Sequence, residues 1–131
     1  MELKEKLELL NEKSSVGEIQ KYIKDMKKAR KFDGVTIERE MMLFLEELGE
    51  LAKAIRKNTN GHLDITKEYN DSVEEELADC FIYLLSIANM NNVDIFRAFK
   101  DKETKNCDRV WKWWYILNFF SKSIAKYKKL C

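Results

Sequence analysis

Between Thr36 and about Lys57 the apolar residues Met41, Phe44, Leu45, Leu48, Leu51, Ala52 and Ile55 recur at steps of three and four. That period belongs to an amphipathic α-helix and not to a strand, whose side chains alternate with period two. A helix of this kind needs other helices or a sheet to cover its stripe. The chain has no proline and only four glycines in 131 residues, and Lys, Glu, Leu and Ile dominate, which favours long helices over turn-rich sheets. The expected fold class is therefore all-α, a helical bundle of about four to five helices in a single domain spanning 1–131.

The remaining helices are marked by their ends. Leu3, Leu7 and Leu10 give an amphipathic opening segment. Ser15 followed by Glu18 has the form of a capping box and predicts a helix running to about Phe32, stopped by Asp33-Gly34. Asn58 to Asp71, with Asn60-Gly61 inside it, reads as a polar loop. Ser72 followed by Glu75 predicts the next helix, through Leu77, Phe81, Leu84, Leu85 and Ala88 to about Met90. Asn91-Asn92 ends it, and Asp94 can cap a last helix carrying Ile95, Phe96 and Phe99 toward Trp111.

Charge excludes several classes of function. Lys plus Arg (24) nearly balance Asp plus Glu (23), so no net field points to nucleic acid or an anionic membrane, and stable nucleic-acid binding is not expected. Cys80, Cys107 and Cys131 show no CxxC spacing and His62 is the only histidine, so neither a disulfide framework nor a Cys/His zinc site is suggested. A reducing, cytoplasmic setting fits best. The opening MELKEKLELL lacks the apolar run of a secretion signal, and Trp113 to Phe120, broken by Asn118, is too short to span a bilayer.

Chemistry is concentrated in a near repeat. EELGELAKAI, starting at Glu46, is echoed by EELADCFIYL, starting at Glu75, so each helix carries E-x-x-(E/D). Taking Leu48 as the centre of its stripe, Glu47 sits roughly 100° and Glu50 roughly 160° to one side, in company with Leu43 and Ala54. Around Leu77, Glu76 and Asp79 fall at the same two angles, with Tyr83 and Met90. If these helices pack antiparallel, four carboxylates gather in one place, and without a cation their repulsion and desolvation would raise their pKa values or destabilise the fold. An all-oxygen cluster suits a hard ion such as Mg2+, with Mn2+ as a substitute, and such ions carry phosphate-bearing substrates. Periodicity by itself also fits a solvated acidic face; a di-iron bundle fits poorly because E-x-x-H is missing.

At these residues the chain resembles the MazG-like nucleoside triphosphate pyrophosphohydrolases, whose pattern is E-x-x-E on one helix and E-x-x-D on the next. Glu47, Glu50, Glu76 and Asp79 match it in order and spacing, and Lys105, Asn106 and Arg109 match the K-N-x-x-R element that follows. The resemblance covers a core of about 36–111. It implies Mg2+-dependent hydrolysis of a nucleoside triphosphate to the monophosphate and pyrophosphate, in nucleotide-pool house-cleaning or directed at dUTP or dCTP. It also implies that the four acidic residues hold the metal, with Glu47 or Glu50 orienting or deprotonating water. Lys105 and Arg109 would offset phosphate charge, and Asn106 would bond to phosphate or sugar. Without the family pattern, Lys105 and Arg109 read as a solvated basic face.

Other residues are weaker candidates. Lys53, one turn beyond Glu50, could reach phosphate, although its angle puts it toward the exposed side with Lys57. His62 reads as an ordinary surface residue. Tyr83 shares the acidic face and is a candidate for touching substrate, but an aromatic at this spacing is more often core, and the same holds for Phe32 and Trp111, the candidates for stacking on a base. Residues 112–131 form an aromatic and then basic C-terminal extension that the resemblance does not explain; its apolar half is expected to pack on the core or a second subunit. Family members form dimers, or tetramers built from dimers, so a homo-oligomer is expected. Two alternatives stand: phosphoribosyl-ATP pyrophosphohydrolase, which shares the superfamily and the chemistry, and a non-catalytic helical binding module.

Overall fold

The computed structural model describes residues 2–58 and 72–109. Of the loop expected over Asn58 to Asp71, Asn58 is the last residue of α3, and the rest, with His62, lies outside the described residues, as do Trp111 and the extension 112–131. Among the described residues every regular element is helical: α1 Leu3–Glu8, α2 Val16–Ala29, α3 Ile37–Asn58, α4 Val73–Met90 and α5 Ile95–Cys107. None of these helices is long and apolar enough to cross a membrane. The chain divides into two compact units, Met1–Ile95 and Phe96–Cys131.

Within the first unit, local chemistry sets the helix ends. The Ser15 hydroxyl accepts from Glu18 N at 3.2 Å, while the Glu18 carboxylate accepts from Ser15 N at 2.7 Å, completing the capping box. Those bonds, the backbone one first, hold the Glu18 carboxyl below its usual range. The Ser72 hydroxyl accepts from Glu75 N at 3.1 Å and so satisfies one orphan donor of α4. Helix α2 stops earlier than Asp33-Gly34 predicts. Lys31 takes a left-handed φ of 60°, and Phe32 N donates to Lys27 O at 2.8 Å while Lys31 N donates to Lys28 O at 3.1 Å. This is a Schellman closure on a residue other than glycine. Asn92, with φ 53°, closes α4 in the same way through Val93 N to Ala88 O at 2.9 Å, and asparagine tolerates that conformation better. In the second unit, α5 ends at Cys107 and not at Trp111.

The core of the first unit is small. Ile23 and Met26 of α2 meet Leu85 of α4, with Leu3, Val16, Ile19, Tyr22, Ile82 and Ile95 packed around them. Leu85 is wholly buried, which is worth about 1.5–3 kcal/mol for a side chain of its size. Lys6 of α1 donates to Asp25 of α2 at 2.5 Å and holds the Asp25 carboxyl below its usual range. Gln20 of α2 ties down the corner after α4: its Nε2 donates to Val93 O at 2.7 Å and to Asn89 Oδ1 at 3.1 Å, and its Oε1 accepts from Ile95 N at 3.2 Å. A side chain on another helix thus satisfies the first free N–H of α5.

The apolar stripe of α3 does not behave as the core face that its period suggests. Met41, Leu45, Leu48 and Ile55 are exposed, Leu45 to 60%, and so are Leu77, Phe81 and Leu84 of α4. The residues that α3 buries most completely are Glu40 and Ala54. Helix α3 therefore turns its Glu40–Glu47–Ala54 face inward against α4 and leaves the greasier stripe exposed.

Candidate active site

Helices α3 and α4 pack against each other with their acidic faces inward. One carboxylate oxygen each from Glu47, Glu50 and Glu76 lies within 4.8 Å of the others. Glu76 is buried, at 6% exposure, and Glu47 is partly buried. Asp79 is exposed and stands outside that threesome, but its charge acts on Glu47 more strongly than that of any other neighbour. Burial first, and then the charges of Asp79, Glu50, Glu76 and Glu46, push the Glu47 carboxyl above its ordinary value.

The same field reaches further along the groove. Burial and then Glu47, Glu76 and Asp79 push the Cys80 thiol up, so it stays protonated beside the acidic cluster. Tyr83 is raised by its burial and then by Glu47, Glu40 and Asp79. Glu76 thus faces Glu47 and Glu50, while Tyr83, two turns later on α4, faces Glu40, two turns earlier on α3. Only antiparallel helices place their residues in that order.

Two residues that carry charge here are missed by motif reading. Glu40 lies seven residues before Glu47, on the same face of α3, and is wholly buried at 0% exposure. It is ion-paired to Lys27 of α2, whose ammonium lies 5.6 Å from the centroid of the Tyr83 ring. The seven-residue spacing was a usable signal for Glu40. Nothing local pointed to Lys27, because the pairing arises from packing of α2 on the bundle.

The other sequence candidates are placed as follows. Lys53 is exposed on α3. Lys105, Asn106 and Arg109 belong to the second compact unit, the first two in the last turn of α5 and Arg109 just beyond it. Asn106 Nδ2 donates to Glu103 Oε1 at 2.6 Å, and Arg109 N donates to Asn106 O at 3.0 Å. Phe32 is exposed.

A cluster of three carboxylates, with no nitrogen or sulfur ligand among the described residues, suits a hard divalent cation, and the raised Glu47 expresses burial first and then the repulsion that such a cation would relieve. Comparisons with known proteins identify the family. The model of the MazG nucleotide pyrophosphohydrolase domain matches residues 35–112. Two crystal structures of iMazG from Vibrio DAT 722, carrying C-terminal and N-terminal tags, are each 32% identical with a TM-score of 0.54. Each match covers 71% of this chain, and 98% and 94% respectively of the Vibrio chains. No functionally curated protein matches. The all-helical fold, the inward-facing acidic pairs and these matches together show that the chain belongs to the MazG nucleotide pyrophosphohydrolase family, hydrolases of phosphoanhydride bonds.

Proposed function

We propose that this chain is a Mg2+-dependent enzyme that hydrolyses a nucleoside triphosphate between the α and β phosphates, releasing the monophosphate and pyrophosphate, and that it serves nucleotide-pool house-cleaning in the cytoplasm. The observation that carries the reading is the convergence of Glu47, Glu50 and Glu76 within 4.8 Å across two helices. Together with Asp79 they are the residues that would hold Mg2+ or Mn2+. When bound, the ion supplies charge neutralisation for phosphate oxygens and a more acidic water.

The chain's own groups then have separable roles. Glu47 or Glu50 of α3 takes a proton from the attacking water. As the water oxygen bonds to the α phosphorus, the bond to the bridging oxygen breaks and pyrophosphate leaves. The remaining carboxylates of the four act as ligands. Lys105 and Arg109 offset charge on the leaving phosphates, Asn106 bonds to phosphate or sugar, and Lys53 is an outer phosphate contact. In this reading the whole chain works as one MazG-like domain, since the family match runs across the division at Ile95. A second copy of the chain covers the exposed stripe of Met41, Leu45, Leu48 and Ile55, making a homodimer or homotetramer.

The test is to incubate the protein with Mg2+ and a panel of canonical and modified nucleoside triphosphates plus phosphoribosyl-ATP, with Glu50→Gln and Asp79→Asn in parallel. Pyrophosphate and monophosphate are expected, and both variants should lose them. Orthophosphate release would refute the cleavage position. Phosphoribosyl-ATP as the only substrate would move the enzyme to that relative's reaction. No turnover of anything, with no metal effect on melting, would leave a helical binding module.

A further inference from the structure

Lys27 and Glu40 form an ion pair between α2 and α3 that the reaction above does not use. The pair is engaged through Glu40 Oε1; Oε2 is buried and, among the described residues, has no hydrogen-bond partner. Glu40 is wholly enclosed, whereas the Lys27 side chain keeps 15% of its surface open. Two apolar side chains of similar volume would join the helices at less cost than a buried pair with an unmatched oxygen. What this pair does achieve is to hold a long, flexible ammonium, which has three donors, in one place.

That place is the end of the acidic row. The ammonium lies 5.6 Å from the centroid of the Tyr83 ring, and Tyr83 in turn feels the charges of Glu47 and Asp79. Tyr83 is one turn beyond Asp79 on α4, about 6 Å along the axis, and Glu40 is two turns before Glu47 on α3, about 10 Å. A polyphosphate whose reacting end lies at Glu47, Glu50 and Glu76 is long enough to bring its remaining phosphates toward Lys27.

We propose that Lys27 binds the polyphosphate chain of the substrate, taking the phosphates that leave as pyrophosphate, and that Glu40 is the positioning residue that keeps its ammonium over Tyr83. The assignment rests on the acidic row being the active site. Lys27 lies upstream of residues 35–112, so this contact is one the family match does not include. A held ammonium loses little side-chain entropy on binding, which is the physical advantage of the buried carboxylate behind it.

The experiment compares wild type, Lys27→Met, Lys27→Arg and the double variant Lys27→Met/Glu40→Leu, measuring kcat and KM on the nucleotide panel, inhibition by inorganic pyrophosphate, and melting temperature. The double variant removes both charges and should melt at or above wild type. Both Met-containing variants should raise KM and the pyrophosphate inhibition constant about tenfold, with kcat and base preference changed much less and Lys27→Arg recovering most of the loss. If the double variant restores wild-type KM and pyrophosphate inhibition, the pair is only structural and the proposal falls. It falls equally if base preference shifts while pyrophosphate inhibition does not, because Lys27 would then read the base. A wild type indifferent to Glu50→Gln overturns the site itself. A wild type that Glu50→Gln silences, beside an unaffected double variant, overturns Lys27 alone.

Discussion

Glu47 of α3 and Glu76 of α4 bring carboxylate oxygens within 4.8 Å of each other, with Glu50 completing the group, although Glu76 is 6% exposed and gains little relief from solvent. Charges held this close are a cost to the free fold and a benefit only when a cation joins them. Adding Mg2+ to metal-stripped protein should therefore raise stability, by about 2.7 kcal/mol at a hundredfold excess over the dissociation constant. Glu76→Gln should melt no lower than wild type without metal and should lose the response to Mg2+. A metal-stripped protein whose melting ignores Mg2+, read by calorimetry, would remove the basis for the site.

The raised Glu47 carboxyl makes a prediction about pH. A carboxyl with a higher pKa folded than unfolded binds its proton more tightly in the native state. Its stabilising contribution is then complete below the ordinary carboxylate value and is lost as pH rises through the raised one. Metal-free wild type and Glu47→Gln, which cannot ionise, should differ little near about pH 4, and the variant should gain on wild type as pH approaches about 7. Parallel melting curves across that range, measured in chelator, would show that Glu47 ionises without penalty.

The exposed stripe predicts association. Leu45 is 60% exposed and Phe81 41%, on the two helices that build the site. Leu45→Glu and Phe81→Glu should leave helical content intact while lowering the sedimenting mass to that of one chain, since a charge on a surface residue perturbs an interface and not the core. A wild type that sediments as a monomer at every concentration would contradict the oligomer.

Gln20 carries a disproportionate share of the polar bonding in the first unit, with Asn89, Val93 and Ile95 all on its amide. Gln20→Leu leaves the Ile95 N–H and the Val93 carbonyl without that partner and should cost about 1–3 kcal/mol in denaturant unfolding. A loss below about 0.5 kcal/mol would mean that water replaces the amide freely.

Much of this architecture could be read from residue order. The helices, the Ser15 and Ser72 caps, and the two acidic pairs follow from spacing, because residues three or four apart on a helix meet whatever surrounds it. Boundaries were less secure: α2 closes on a left-handed Lys31, a conformation that composition would assign to Gly34. Periodicity correctly grouped Met41, Leu45, Leu48 and Ile55 on one face, but it carries no information about which face a neighbouring helix covers. Tertiary packing turned the acidic face inward and set Glu40 opposite Tyr83. It also brought Lys27 onto Glu40 from another helix, a contact fixed by how α2 lies on the bundle and by no local spacing. The sequence by itself determined which carboxylates travel together. The fold alone decided that three of them meet, because bringing like charges together requires packing energy gathered from residues elsewhere in the chain, Ile23, Met26 and Leu85 among them.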